Sequence, residues 1–176
     1  MFCKFKFEKK FDSIIEPIPL STQYRLDNIG VVIRTETWNK LSKESRMLFD
    51  HFPVKTDEDK ECFRRYLLYL LKRIKRTVQV LDDDQVNRAN AQWQDFARIP
   101  QQVYQAVVDL DYTLSPRDWI KLSDFKRFVM VKLSQGNHSR GLLNEAFMEI
   151  LGTESKVTAW KSKSENYSES LNQLVS

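Results

Sequence analysis

The stretch Ile18 to Pro53, IPLSTQYRLDNIGVVIRTETWNKLSKESRMLFDHFP, returns without a gap as Ile99 to Ser134, IPQQVYQAVVDLDYTLSPRDWIKLSDFKRFVMVKLS, at an offset of 81. Ile18-Pro19 falls on Ile99-Pro100, and Trp38, Lys40, Leu41 and Ser42 fall on Trp119, Lys121, Leu122 and Ser123. Apolar classes keep step as well: Leu26 with Val107, Ile29 with Leu110, Ile33 with Leu114, and Phe52 with Leu133. A repeat of this length is read before anything else, because it describes one supersecondary unit used twice. The shared residues are core-forming types, so the repeat speaks for architecture rather than chemistry. Trp38 and Trp119 are the expected structural anchors, and Ser42 and Ser123 the expected helix caps.

Working outward, each copy reads as short helices. Pro17-Ile18-Pro19 is a stiff lead-in, and Leu20 to Ile29 is helical with Gly30 placed to stop it. In the second copy Ser115-Pro116-Arg117-Asp118 combines a capping serine, proline at the first helical position and an acid at the third. Between the copies Thr56 and Asp59 open the clearest helix of the chain. Phe63, Tyr66, Leu67, Leu70, Leu71, Ile74 and Val78 recur at spacings of three and four, which predicts a helix from Asp57 to about Val80. Its acids stand first and Lys72, Arg73, Lys75 and Arg76 last, an order that complements the helix dipole at both ends. Asp82 to Arg98 reads as a polar connector held by Trp93 and Phe96. Leu142 to Leu151 is a final helix closed by Gly152. Upstream, Phe5-Lys6-Phe7 alternates like a short extended arm that lays its rings on the core.

The expected fold is all-α. It is a single domain of about six to eight helices, with two related helical units packed on either side of the long helix. The helical domain spans 1–152. Residues 153–176, rich in Ser, Lys, Glu and Asn, form a polar tail, within which Val157, Trp160, Tyr167, Leu171 and Leu174 allow a weak amphipathic helix.

The chemistry available is narrow. Of 176 residues only His51 and His138 are histidine, so few acid–base or nucleophile arrangements can be assembled. No glycine-rich phosphate loop occurs. Asp82-Asp83-Asp84 lacks the alternating ligands and turn glycine of a calcium loop and reads as a solvated linker. Cys3 and Cys62 are isolated, with Cys62 expected as a small buried side chain in a reduced setting. No metal and no cofactor is expected, nor is catalysis. The N-terminus has no apolar leader and no run spans a bilayer, so the expected location is cytoplasmic. Two polar segments remain as tentative partner-binding surfaces. One is the loop carrying Lys132, Ser134, His138 and Arg140. The other is the basic helix end carrying Lys72, Arg73 and Arg76. For each, the plainer reading is helix capping or a solvated helix end. With 28 basic against 24 acidic residues and a net charge of +4, contact with anionic partners is permitted but not demanded.

Several blocks resemble one family. Phe5-Lys6-Phe7-Glu8, Arg25-Leu26-Asp27 with Gly30 and Ile33, and Trp38-Asn39 with Leu41-Ser42 are similar to the N-terminal half of the nitrate reductase-associated protein family. Trp119, Leu122-Ser123, Arg127-Phe128, Lys132-Leu133-Ser134 and the Gly136 to Arg140 loop resemble its C-terminal half. The chain departs from that pattern at Gly136-Asn137-His138 and along the Asp82 to Arg98 connector. The resemblance implies a small helical accessory protein of nitrate assimilation. Such a protein would support nitrate reductase maturation or activity by contacting the enzyme or an assembly intermediate, without catalysing the reduction. A basic nucleic-acid-binding helical module is the alternative; against it, acids nearly balance bases and no recognition-helix pattern stands out.

Overall fold

A computed structural model describes residues 5–10, 17–49, 51–76 and 78–152; the 153–176 tail lies outside the described residues. After a 3-10 turn at Lys6–Lys10 come α1 (Leu20–Asn28), β1 (Val31–Val32), α2 (Thr35–Trp38), α3 (Lys43–Phe49), α4 (Asp57–Arg73) and β2 (Gln79–Val80). Then follow α5 (Asp83–Gln94), α6 (Gln101–Asp109), α7 (Pro116–Lys121), α8 (Asp124–Gln135) and α9 (Arg140–Leu151). The chain is therefore mostly helical and forms one domain. Its described helices number ten, more than expected, because the N-terminal arm and the polar connector are helical too. α6, α7 and α8 each begin 81 residues after α1, α2 and α3.

Helix ends follow local chemistry. Thr56 and Asp59 form a reciprocal cap on α4, and Ser115 and Asp118 do the same on α7. Ser42, Ser123 and Ser139 accept from backbone N–H groups three residues on. Gly30 ends α1 at φ +66, and a Cβ there would come within 2.4 Å of a Val86 methyl, so both conformation and space call for glycine. The Ser115 hydroxyl, 2.5 Å from Asp118, holds that carboxyl below the usual aspartate range. A depressed acid contributes stability above its unfolded pKa, and that contribution is lost as pH falls through the folded one. Asp118→Asn should therefore lower the thermal midpoint at neutral pH. The gap to the parent protein should close on acidification below about pH 4, as read by melting curves across the acid limb.

Two regions depart from the sequence reading. The Asp82 to Arg98 connector contains α5, capped reciprocally by Asp82 and Gln85. The Asp82-Asp83-Asp84 run is thus a helix start rather than a linker. And α4 stops at Arg73, well before Val80: Lys75 turns left-handed at φ 51, with its N–H bonded to Lys72 O and the Arg76 N–H bonded to Leu71 O. The chain then returns as β2, which pairs antiparallel with β1 (Val31 opposite Val80, Val32 opposite Gln79). Arg64 staples this ribbon to α1, donating to Ile29 O at 2.8 Å and Leu81 O at 3.4 Å.

Packing centres on α8, against which α1, α5, α6 and α9 all lie, rather than on the long α4. Phe125, Phe128, Val129, Met130, Val131 and Leu133 of α8 are buried. Tyr24, Trp93 and Phe128 close a ring cluster there at 5.1–5.7 Å. A second cluster joins Trp38, Phe49, Phe52 and Phe63 where α4 covers the first unit. Phe5 and Phe7 do lie on the core, from a 3-10 turn rather than an extended arm, and the Glu149 carboxylate accepts both the Lys6 and Phe7 N–H groups. Cys62 points outward, because Phe63, Leu67 and Leu71 define the buried face of α4. Met47 and Leu48 are likewise exposed: α3 turns Phe49 inward instead.

Candidate functional site

Three concavities gather the polar residues that could meet a partner. The first lies at the C-terminal end of α4. Lysine stands at the left-handed position of that helix stop, where glycine is the unstrained choice, at a cost of about 1 kcal/mol. Strain of this kind at a surface position suggests that the side chain has a use. The turn aims Lys75 and Arg76 into a groove of ≈ 390 Å³, and the β1–β2 ribbon brings Arg34 to the same groove. No acid lines it. Among the described residues none of these three side chains makes a hydrogen bond or ion pair. Lys72 and Arg73, singled out with Arg76 from the sequence, stand on the preceding turn outside the groove lining; the Arg73 guanidinium lies 5.9 Å from the Tyr69 ring centre. Arg34 and Lys75 were missed as site residues. Lys75 was legible only as one more charge at a helix end, and Arg34 belongs to a distant part of the chain.

The second concavity divides the other predicted set. Ser134, His138 and Arg140 line a groove of ≈ 520 Å³ beside α6. Lys132 turns away to Asp27 on α1, 2.7 Å from its carboxylate, and its ammonium sits 5.4 Å from the Phe128 ring centre. Arg140 faces Asp111 at 3.7 Å with both side chains largely exposed, a pair worth little. The His138 ring rests against Gly136, where a Cβ would come within 2.3 Å of Nε2 and displace the ring. The N-terminus of α9 is capped by Ser139.

The third is the largest, ≈ 1030 Å³, between α1, the turn after α3 and the start of α8. Tyr24, Arg25, Asn28, His51, Lys55, Lys60, Trp93, Ser123 and Asp124 are among its lining residues. His51 Nδ1 lies 2.9 Å from Met47 O, and burial pushes the Tyr24 hydroxyl above its ordinary pKa. No group of three or more His, Cys, Asp or Glu side chains is placed to hold a metal among the described residues. Nor is any described helix long and apolar enough to cross a membrane.

Residues 4–150 match the conserved nitrate reductase-associated protein family. The chain belongs to that family. The match takes in all three concavities and every helix from α1 to α8, and it reaches Ile150 in α9. No curated protein and no solved structure matches the chain. The family's description links its members to nitrate reductase by association.

Proposed function

We propose that this member of the nitrate reductase-associated family is a non-catalytic, cytoplasmic accessory protein that supports nitrate reductase maturation or activity by direct contact. The observation that carries the reading is the convergence of Arg34, Lys75 and Arg76 on one groove with no acid among its described lining residues. Unneutralised cations in a concavity repel one another and attract an acidic surface, favouring fast, salt-dependent association. Lys72 and Arg73 widen the same basic face, while Ser134, His138 and Arg140 supply a second contact region.

Copurification with nitrate reductase tests it. The parent protein should retain the enzyme at low salt and lose it as salt rises, and Lys75→Glu with Arg76→Glu should abolish retention while leaving the helical circular dichroism intact. Lys75→Gly separates strain from use: it should raise stability by about 1 kcal/mol in urea titration while weakening capture. Retention unaffected by either change would defeat the reading. So would a salt-sensitive shift of nucleic acid in gels without any capture of the enzyme.

A further inference from the structure

Among the described residues α5 covers α1, whereas the matching face of α6 is open. We propose that residues 160–175 of this chain, outside the described residues, dock on that face and close the second copy as β2 and α5 close the first. In the first copy the chain returns after α4, Val80 pairs with Val31, and the Leu81 N–H donates to Gly30 O at 2.8 Å. α5 then lies along α1. Val86 packs against Gly30, Asn90 donates to Asp27 O at 3.2 Å, and the Trp93 ring stands 5.1 Å from that of Tyr24. The second copy presents the same receiving backbone. Asp111 is left-handed at φ 61 where Gly30 is at φ 66, and Tyr112, 81 residues after Val31, takes part in a β-bridge. Yet Gln105, Val108 and Asp111, the counterparts of Tyr24, Asp27 and Gly30, are all exposed.

The open face is apolar. Tyr104 and Val108, one turn apart on α6, are 55% and 48% exposed, and in the first copy their places hold Gln23 and Asp27. The sequence after Gly152 carries the matching change. At the same offset of 81, Val86, Asn90 and Trp93, by which α5 meets α1, become Tyr167, Leu171 and Leu174. Where α5 sets the buried Asn90 on Asp27, the second copy therefore has Leu171 for Val108. Tyr167, Leu171 and Leu174 follow one another at spacings of four and three, so a helix puts them on one face. Ser162 and Glu165 stand at capping-box spacing, one residue ahead of the places of Asp82 and Gln85, which cap α5. Trp160 falls on Gln79 of β2. The reach suffices as well: residues 74–82 make the return in the first copy, and the longer stretch 152–163 is available in the second. A foreign partner gives no account of this register, whereas the chain's own segment does.

Hydrogen–deuterium exchange on the full chain tests this. The amides of residues 166–175 should exchange at least about tenfold more slowly than those of an unstructured chain. Tyr104→Glu with Val108→Glu, both at exposed positions, should return them to the unstructured rate and leave the amides of α8 protected. Leu171→Glu with Leu174→Glu should do the same from the other side of the contact. Exchange of 166–175 at the unstructured rate in the parent protein would overturn the proposal, as would protection indifferent to the Tyr104 and Val108 changes. Protection that falls on dilution would give the face to a second copy of the chain. Capture of nitrate reductase that depends on Tyr104 and Val108, with 166–175 exchanging at the unstructured rate, would give it to the enzyme. Either result defeats docking of the chain's own segment. Lys75→Glu with Arg76→Glu should leave the protection intact, so this inference and the basic contact surface fail separately.

Discussion

Trp119→Ala should destabilise the protein by about 4 kcal/mol, the largest loss expected from any single tryptophan truncation outside the α5 cluster. The indole is fully buried, its Nε1 donates to Asp95 O at 3.1 Å, and the Arg127 guanidinium lies 5.9 Å from its ring centre. Truncation removes the whole ring from a site closed by α7 and α8, which cannot both collapse into the space. Trp119→Phe should be milder, since it keeps most of the apolar volume and leaves the carbonyl of an exposed residue free to meet water. Urea denaturation of the three proteins measures this. A midpoint for the alanine variant within error of the parent would show that the site is not a rigid part of the core.

Arg127→Met should cost about 3 kcal/mol. Arg127 is 4% exposed and joins three elements: Nε donates to Trp93 O at 2.9 Å, Nη1 to Leu122 O at 2.7 Å, and Nη2 to the Asp124 carboxylate. Methionine preserves the apolar stem but leaves two carbonyls without their donor, and each such loss costs about 1–3 kcal/mol when buried. The Asp124 side chain is 60% exposed, so the ion pair itself contributes little. Arg127→Lys tests that division. If the carbonyls dominate, lysine should be nearly as damaging as methionine, because one ammonium cannot reproduce the fork. Recovery of parental stability by lysine would instead assign the effect to charge.

The helical class was legible because its signals are local. Thr56 with Asp59 and Ser115 with Asp118 are near neighbours whose side chains meet backbone N–H groups whatever the rest of the chain does. The apolar stripe of α4 likewise needs only its own spacing. The misreading of Asp82 to Arg98 has a specific cause. Asn90, 2% exposed, takes an inward position on α5 beside Trp93 and donates to Asp27 O at 3.2 Å. A polar residue buried by a distant carbonyl hides the apolar period that marks a helix. The length of α4 was overread for a related reason: Ile74 and Val78 continue the stripe, but the left-handed Lys75 breaks the helix between them.

The candidate sites were legible only in fragments. Arg76, Ser134, His138 and Arg140 were singled out and do line grooves. Lys132 belongs to none of them, because Asp27 on α1 draws it away. Arg34 joins Lys75 and Arg76 through a ribbon of two residues per strand, too short to leave a pattern. Arg25 reads in isolation as one charge in a helix, and nothing nearby announces that it lies buried.

The sequence by itself therefore determined the helices, their caps, the buried tryptophans and the family, since these rest on contacts within a few residues or on blocks that can be compared directly. Only the tertiary structure decided which cations share a concavity, which lysine is neutralised and which helix forms the centre. Those outcomes depend on the path of the whole chain: charges act over the distances that folding sets, and residues far apart in sequence acquire a common field only once the core has brought their elements together.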